Sequence, residues 1–131
     1  MHVAIYTKNI PGKTAVAQQM ELLRLCQQRN WTCQIYSEKP GRSVRSDASD
    51  SMGARRKLID DLLNSKYEAV AVWRISMFGN CIDDLLWTLD EIHVKRGIAV
   101  VAVADGIDTT VGDGAVTRVL KALAAVGRGE Q

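Results

Sequence analysis

Three continuous apolar runs, Val3–Tyr6, Ala69–Trp73 and Ile98–Ala104, set the limits on what this chain can fold into. A strand that is apolar on both faces must be covered on both faces, as in a parallel sheet between layers of helix. The segments between these runs carry the spacing of helices. In Val16–Arg29, the residues Val16, Met20, Leu23 and Gln27 share one face, with Gln19 and Cys26 beside it. Gly53–Asn64 offers Leu58, Ile59, Leu62 and Leu63 as a buried side. Ile82–Lys95 offers Leu85, Leu86, Leu89 and Ile92, and Gly97 closes it as a C-terminal glycine does. Trp31–Tyr36 alternates and reads as a further strand, and Ala115–Val126 reads as a final amphipathic helix. The resulting order, β-α-β-α-β-α-β-α, predicts a three-layer α/β/α fold around a mostly parallel sheet.

One such unit accounts for the whole sequence of 131 residues, a length that buries a core without disulfide or metal. There is no internal repeat, low-complexity tract or linker. Residues 37–51 form the most polar stretch, with Pro40, Gly41 and five serines (Ser37, Ser43, Ser46, Ser49 and Ser51), and are expected as an exposed loop. The net charge of +2 neither demands nor excludes a nucleic-acid partner. Cys26, Cys33 and Cys81 form no Cys-x-x-Cys pair and read as reduced thiols. No apolar run approaches the roughly 18 residues of a membrane span, and the first residues show no signal-peptide pattern. A cytoplasmic location is expected.

In open α/β sheets, ligands sit beyond the carboxyl ends of the strands, which here selects the loops 7–13, 74–81 and 105–114. The first contains Gly12-Lys13-Thr14 just before a helix. A phosphate loop needs a further glycine five residues before Gly12, where this chain has Thr7, so a turn glycine and a helix cap are the simpler reading. His2 and His93 lack metal-ligand spacing. Asp105 and Asp108 read as solvated loop carboxylates, although a pair is conceivable. Asp83, Asp84, Asp90 and Glu91 read as the polar face of a helix, and Arg55-Arg56-Lys57 as a solvated helical turn. Neither a cofactor nor a metal is expected.

Three ordered segments add a resemblance. Val3-Ala4-Ile5-Tyr6 with Gln19 is similar to the opening of the serine recombinases, the resolvases and invertases. Val70-Ala71-Val72-Trp73-Arg74-Ile75, followed by Gly79 and Asp84-Leu85, resembles their central strand and the next helix. Gly106-Ile107-Asp108-Thr109-Thr110 resembles the segment before their long last helix. The resemblance covers nearly the whole chain and implies a single resolvase-like domain over residues 1–131. Members cut DNA with a serine that attacks a backbone phosphate, while arginines hold the developing charge.

That chemistry is replaced at the matching positions. Where the family pattern is Tyr-Ala-Arg-Val-Ser, this chain has Tyr6-Thr7-Lys8-Asn9-Ile10, so Ile10 takes the place of the serine and Lys8 that of an arginine. Lysine keeps the charge but loses the bidentate fork. Where the family has Asp-Arg-Leu-Gly-Arg, this chain has Ser76-Met77-Phe78-Gly79-Asn80, and a further arginine position falls on Met52. Losing one preorganised donor costs about a hundred- to a thousandfold in rate. The resemblance therefore implies a domain that does not cut DNA. The family dimerises through its last helix, and here Val116, Val119, Leu120, Leu123 and Val126 form the corresponding apolar stripe. A homodimer, or a mixed dimer with an active serine recombinase, is the expected partnership. DNA binding by the chain alone is expected to be weak, since no helix-turn-helix segment is recognisable. The alternatives are a recombinase subunit with residual or altered strand exchange, a phosphate- or nucleotide-binding module built on Gly12–Thr14 and Gly106–Gly114, and a remnant of a mobile element.

Overall fold

The structure is a computed structural model, and it describes residues 1–38, 53–64, 66–79 and 81–110. Five strands, β1 (His2–Thr7), β2 (Thr32–Ser37), β3 (Ala69–Val72), β4 (Ala99–Ala102) and β5 (Ile107–Asp108), form one sheet in the order β2-β1-β3-β4-β5. The first four are parallel and β5 runs antiparallel to β4. Among the described residues the α-helices are α1 (Ala15–Gln28), α2 (Gly53–Leu63) and α3 (Ile82–Leu89).

The two sheet faces follow from strand alternation. On one side Val3, Ile5, Ala69, Ala71 and Val101 meet Leu22 and Cys26 of α1. On the other, Ala4, Tyr6, Val70, Val72, Val100 and Ala102 meet Leu58 and Leu62 of α2 and Leu85 and Leu89 of α3. The expected α/β/α layering with a mostly parallel sheet is thus present.

Several local expectations need correction. The buried face of α1 is Ala15, Gln18, Leu22 and Cys26, while Val16 is 69% and Met20 61% exposed. Both sets have helical spacing, and the buried one contains a glutamine. In α3, Leu86 is exposed rather than buried. The single helix expected over 82–95 is α3 followed by one π-helical turn, Asp90–Val94. The strand expected through Ala104 ends at Ala102 and passes into a 3-10 turn, Val103–Asp105. Gly106 then adopts φ 68°, a left-handed conformation that suits glycine, and turns the chain back into β5, which the expected 106–114 loop did not include. The helix expected over Ala115–Val126, with its stripe Val116, Val119, Leu120, Leu123 and Val126, lies outside the described residues.

Candidate functional site at the strand ends

The carboxyl ends of β1, β2 and β3 meet at one edge of the molecule. Thr7 is fully buried there and donates its hydroxyl hydrogen bond to Ser37 Oγ at 2.9 Å. The following loop closes on itself, as Ile10 and Lys13 exchange two backbone hydrogen bonds of 3.1 Å each. Gly12 makes the turn at φ 84°, a conformation that costs glycine little. Thr14 is the N-cap of α1, accepting from Ala17 N at 3.1 Å. The Gly12-Lys13-Thr14 run is therefore a turn and a cap.

The loop is held by Gln18 from below. Its Nε2 donates to Lys8 O at 2.6 Å and Lys13 O at 3.3 Å, and its Oε1 accepts from Lys8 N at 3.3 Å. A buried amide that makes three bonds to one loop fixes that loop's shape. The sequence analysis named Gln19, not Gln18, and gave neither a loop-holding role; the trace of Gln18 in the sequence is its spacing to Leu22 and Cys26.

The second wall is the 3-10 turn Ile75–Phe78 after β3. Asp105 fixes its start, accepting from Ile75 N at 2.7 Å and pairing with Arg74 at 3.5 Å. Arg55 fixes its end. This side chain is 9% exposed, donates from Nε to Phe78 O at 2.6 Å and from Nη2 to Thr88 Oγ1 at 3.2 Å, and pairs with Asp84 at 2.9 Å. Arg55 thus corrects the reading of residues 55–57 as a solvated turn. Gly79 packs directly on α3, where an added Cβ would stand 2.5 Å from Leu85 N.

Glu38 joins the two walls. One carboxylate oxygen accepts from Tyr6 OH at 2.8 Å and Arg55 N at 2.9 Å, and the other from Ala54 N at 3.0 Å. It serves as a helix cap supplied from β2, placing negative charge at the start of α2. Burial, together with the bond to Glu38, pushes the Tyr6 hydroxyl well above the usual tyrosine range, so it remains a hydrogen-bond donor at neutral pH.

Of the substituted positions, Lys8 and Ile10 lie on the loop after β1, both half-buried, and Ile10 packs against the core cluster of α2 and α3. Ser76 is exposed and Met77 buried on the opposite wall. Met52 and Asn80 lie outside the described residues. Lys13 Nζ stands 4.1 Å from the centre of the Trp73 ring, a cation–π contact across the two walls. Asp105 and Asp108 do not form a pair of their own. Asp108 holds Arg29 at 2.7 Å and accepts from Thr110. His2 bonds Thr32 and His93 bonds the carbonyl of Ile98. Among the described residues, no group of three or more His, Cys, Asp or Glu side chains is placed to hold a metal ion, and no helix is long and apolar enough to cross a membrane.

A mostly parallel sheet in the order β2-β1-β3-β4-β5 with helices on both faces makes this an α/β domain. The family model described as "Resolvase, N terminal domain" matches residues 8–130, and the chain belongs to that family. It is a serine-recombinase-like domain of a family that acts in DNA recombination. Solved structures agree in fold. The N-terminal catalytic domain of TP901-1 integrase is similar at TM-score 0.73 and 21% identity, over 99% of this chain and 96% of that one. A resolvase family site-specific recombinase from Streptococcus pneumoniae is similar at TM-score 0.69 and 23% identity, over 98% and 89%. The C-terminal catalytic domain of ISC1926 TnpA, an IS607-like serine recombinase, is similar at TM-score 0.57 and 11% identity, over 96% and 80%. A search of curated protein sequences gave no match.

Proposed function

We propose that this chain is a non-catalytic recombinase-like domain that acts in DNA recombination by association, either with a second copy or with an active serine recombinase. The observation that supports it is Ile10. The position that carries the attacking hydroxyl in the family holds a side chain with no nucleophilic atom, half-buried and packed against the core. Two nearby hydroxyls are otherwise employed. Thr7 is buried in a bond to Ser37, and Thr14 caps α1. The arginines of the second wall serve structure, with Arg74 on Asp105 and Arg55 beneath the turn. A transition state with charge spread over phosphoryl oxygens needs preorganised donors aimed at it, and a lone hydroxyl does not replace them.

The test has two arms. The chain and an active recombinase are incubated with DNA carrying that recombinase's site, and covalent protein–DNA adducts are trapped. The expected result is adducts from the recombinase alone, and an adduct on this chain overturns the non-catalytic reading. Sedimentation of the chain, alone and mixed with the recombinase, is expected to show a dimeric species. A monomer at all concentrations, with no mixed species, overturns the association.

A further inference from the structure

We infer that Cys26 and Cys33 form a reversible intramolecular disulfide that closes the end of α1 onto β2. The two residues sit at neighbouring points of the same small core. Cys26 is 1% exposed in the cluster with Val3, Ile5 and Leu22, and the half-buried Cys33 packs against that cluster from β2. Cys33 is the register partner of Val3 in β1, and Val3 shares its cluster with Cys26. The chain between them reverses tightly. Arg29 N and Trp31 N both donate to Cys26 O, at 3.2 and 2.9 Å, and Asn30 adopts a left-handed φ of 58°. This reversal brings the last turn of the helix beside the strand that follows it. Cys81 lies elsewhere, exposed before α3.

The difference in exposure orders the chemistry. Of the two, Cys33 is the one open to an outside oxidant of the disulfide class, such as glutathione disulfide. The Cys33 thiolate attacks one glutathione sulfur, and the other glutathione leaves as thiolate and takes up a proton. Cys26 then loses its proton to solvent, and its thiolate attacks the Cys33 sulfur, releasing the second glutathione. Two electrons pass from the protein thiols to the oxidant and one protein disulfide forms. Burial, helped by the neighbouring Cys33, pushes the Cys26 thiol up to about 11 against the opposing charge of Arg29. The second step is therefore the slow one at neutral pH, since the thiolate is the attacking species.

The bond would stiffen a place that also anchors the far edge of the sheet. Arg29, the C-cap of α1, pairs with Asp108 of β5 at 2.7 Å, donates to Thr110 Oγ1 at 3.1 Å and lies over the Trp31 ring. Oxidation thus ties the cap, β2 and β5 into one block.

The experiment uses the full chain with Cys81→Ser, native, in graded ratios of reduced to oxidised glutathione, quenched with an alkylating agent and mapped by mass spectrometry. The expected result is a Cys26–Cys33 linked species that grows with oxidant, reverses with reductant, remains monomeric in covalent terms and melts at a higher temperature than the reduced chain. A Cys33–glutathione adduct that never closes at any ratio, or a Cys33–Cys33 link between chains, overturns the inference. Replacing Cys33 with Ser is expected to abolish the oxidant-dependent rise in melting temperature, and a rise that persists in that variant overturns it as well.

Discussion

The loop after β1 and the turn after β3 stand side by side at the strand ends, yet they are held in opposite ways. A neutral amide, Gln18, shapes the first through three bonds to its backbone. Charged groups hold the second, with Asp105 at its start and the buried Arg55 at its end. A neutral anchor acts only on what it touches. A buried cation binds several elements together, because its removal leaves acceptors from each of them unmatched. The first wall is thus a local construction, and the second is tied to α2 and α3.

Arg55→Met is the strongest way to break this contrast. It removes one donor each from Phe78 O, Thr88 Oγ1 and the Asp84 carboxylate, and should cost about 3 kcal/mol of stability in urea unfolding. A cost below about 1 kcal/mol would mean that the turn is held by packing alone. Gly79→Ala tests the same wall by bulk rather than charge. Its Cβ would meet the α3 backbone at 2.5 Å, and overpacking of this kind costs about 2 kcal/mol. Gln18→Leu is the matching change on the other wall, expected at about 1.5 kcal/mol. Amide exchange should speed up at Lys8 and Lys13 without reaching Phe78, and protection lost on both walls would erase the distinction.

Acid gives the smallest and most diagnostic effect. Tyr36 OH donates to Asp61 at 2.5 Å, and this bond, with those from Lys66 and Lys57, holds the Asp61 carboxyl below the usual carboxylate range despite its burial. A lowered folded value means the stabilisation is complete above the unfolded aspartate range and is lost as the pH falls through the folded value. The α2 side should therefore loosen in acid while the Gln18 loop keeps its bonds. Tyr36→Phe should flatten the acid limb of stability against pH, and an unchanged limb would remove Asp61 from the account.

The sequence made the layers legible because runs such as Val70-Ala71-Val72 carry two buried faces at once, which few other arrangements accommodate. It hid the anchors because the physics that places them runs against pattern. Gln18 and Arg55 are buried by their bonds rather than their polarity, and a polar residue inside a helical repeat reads as solvent-facing until its partners are known. Val16 and Met20 mislead for the converse reason, as apolar residues with the right spacing on a face that the sheet does not use. β5 was too short to show any alternation. Among the residues of the strand-end site, the joint role of Glu38 was not legible, since its partners lie on β1 and α2.

Glu38 also has a consequence for how such a chain changes over generations. One carboxylate at the end of β2 bonds both Tyr6 of β1 and Ala54 at the start of α2. Doubling the length of chain between two joined points costs only about 0.6 kcal/mol in closure entropy. With β2 and α2 joined through Glu38, changes in the number of residues that separate them in the sequence should leave the register of β1 and β2 intact.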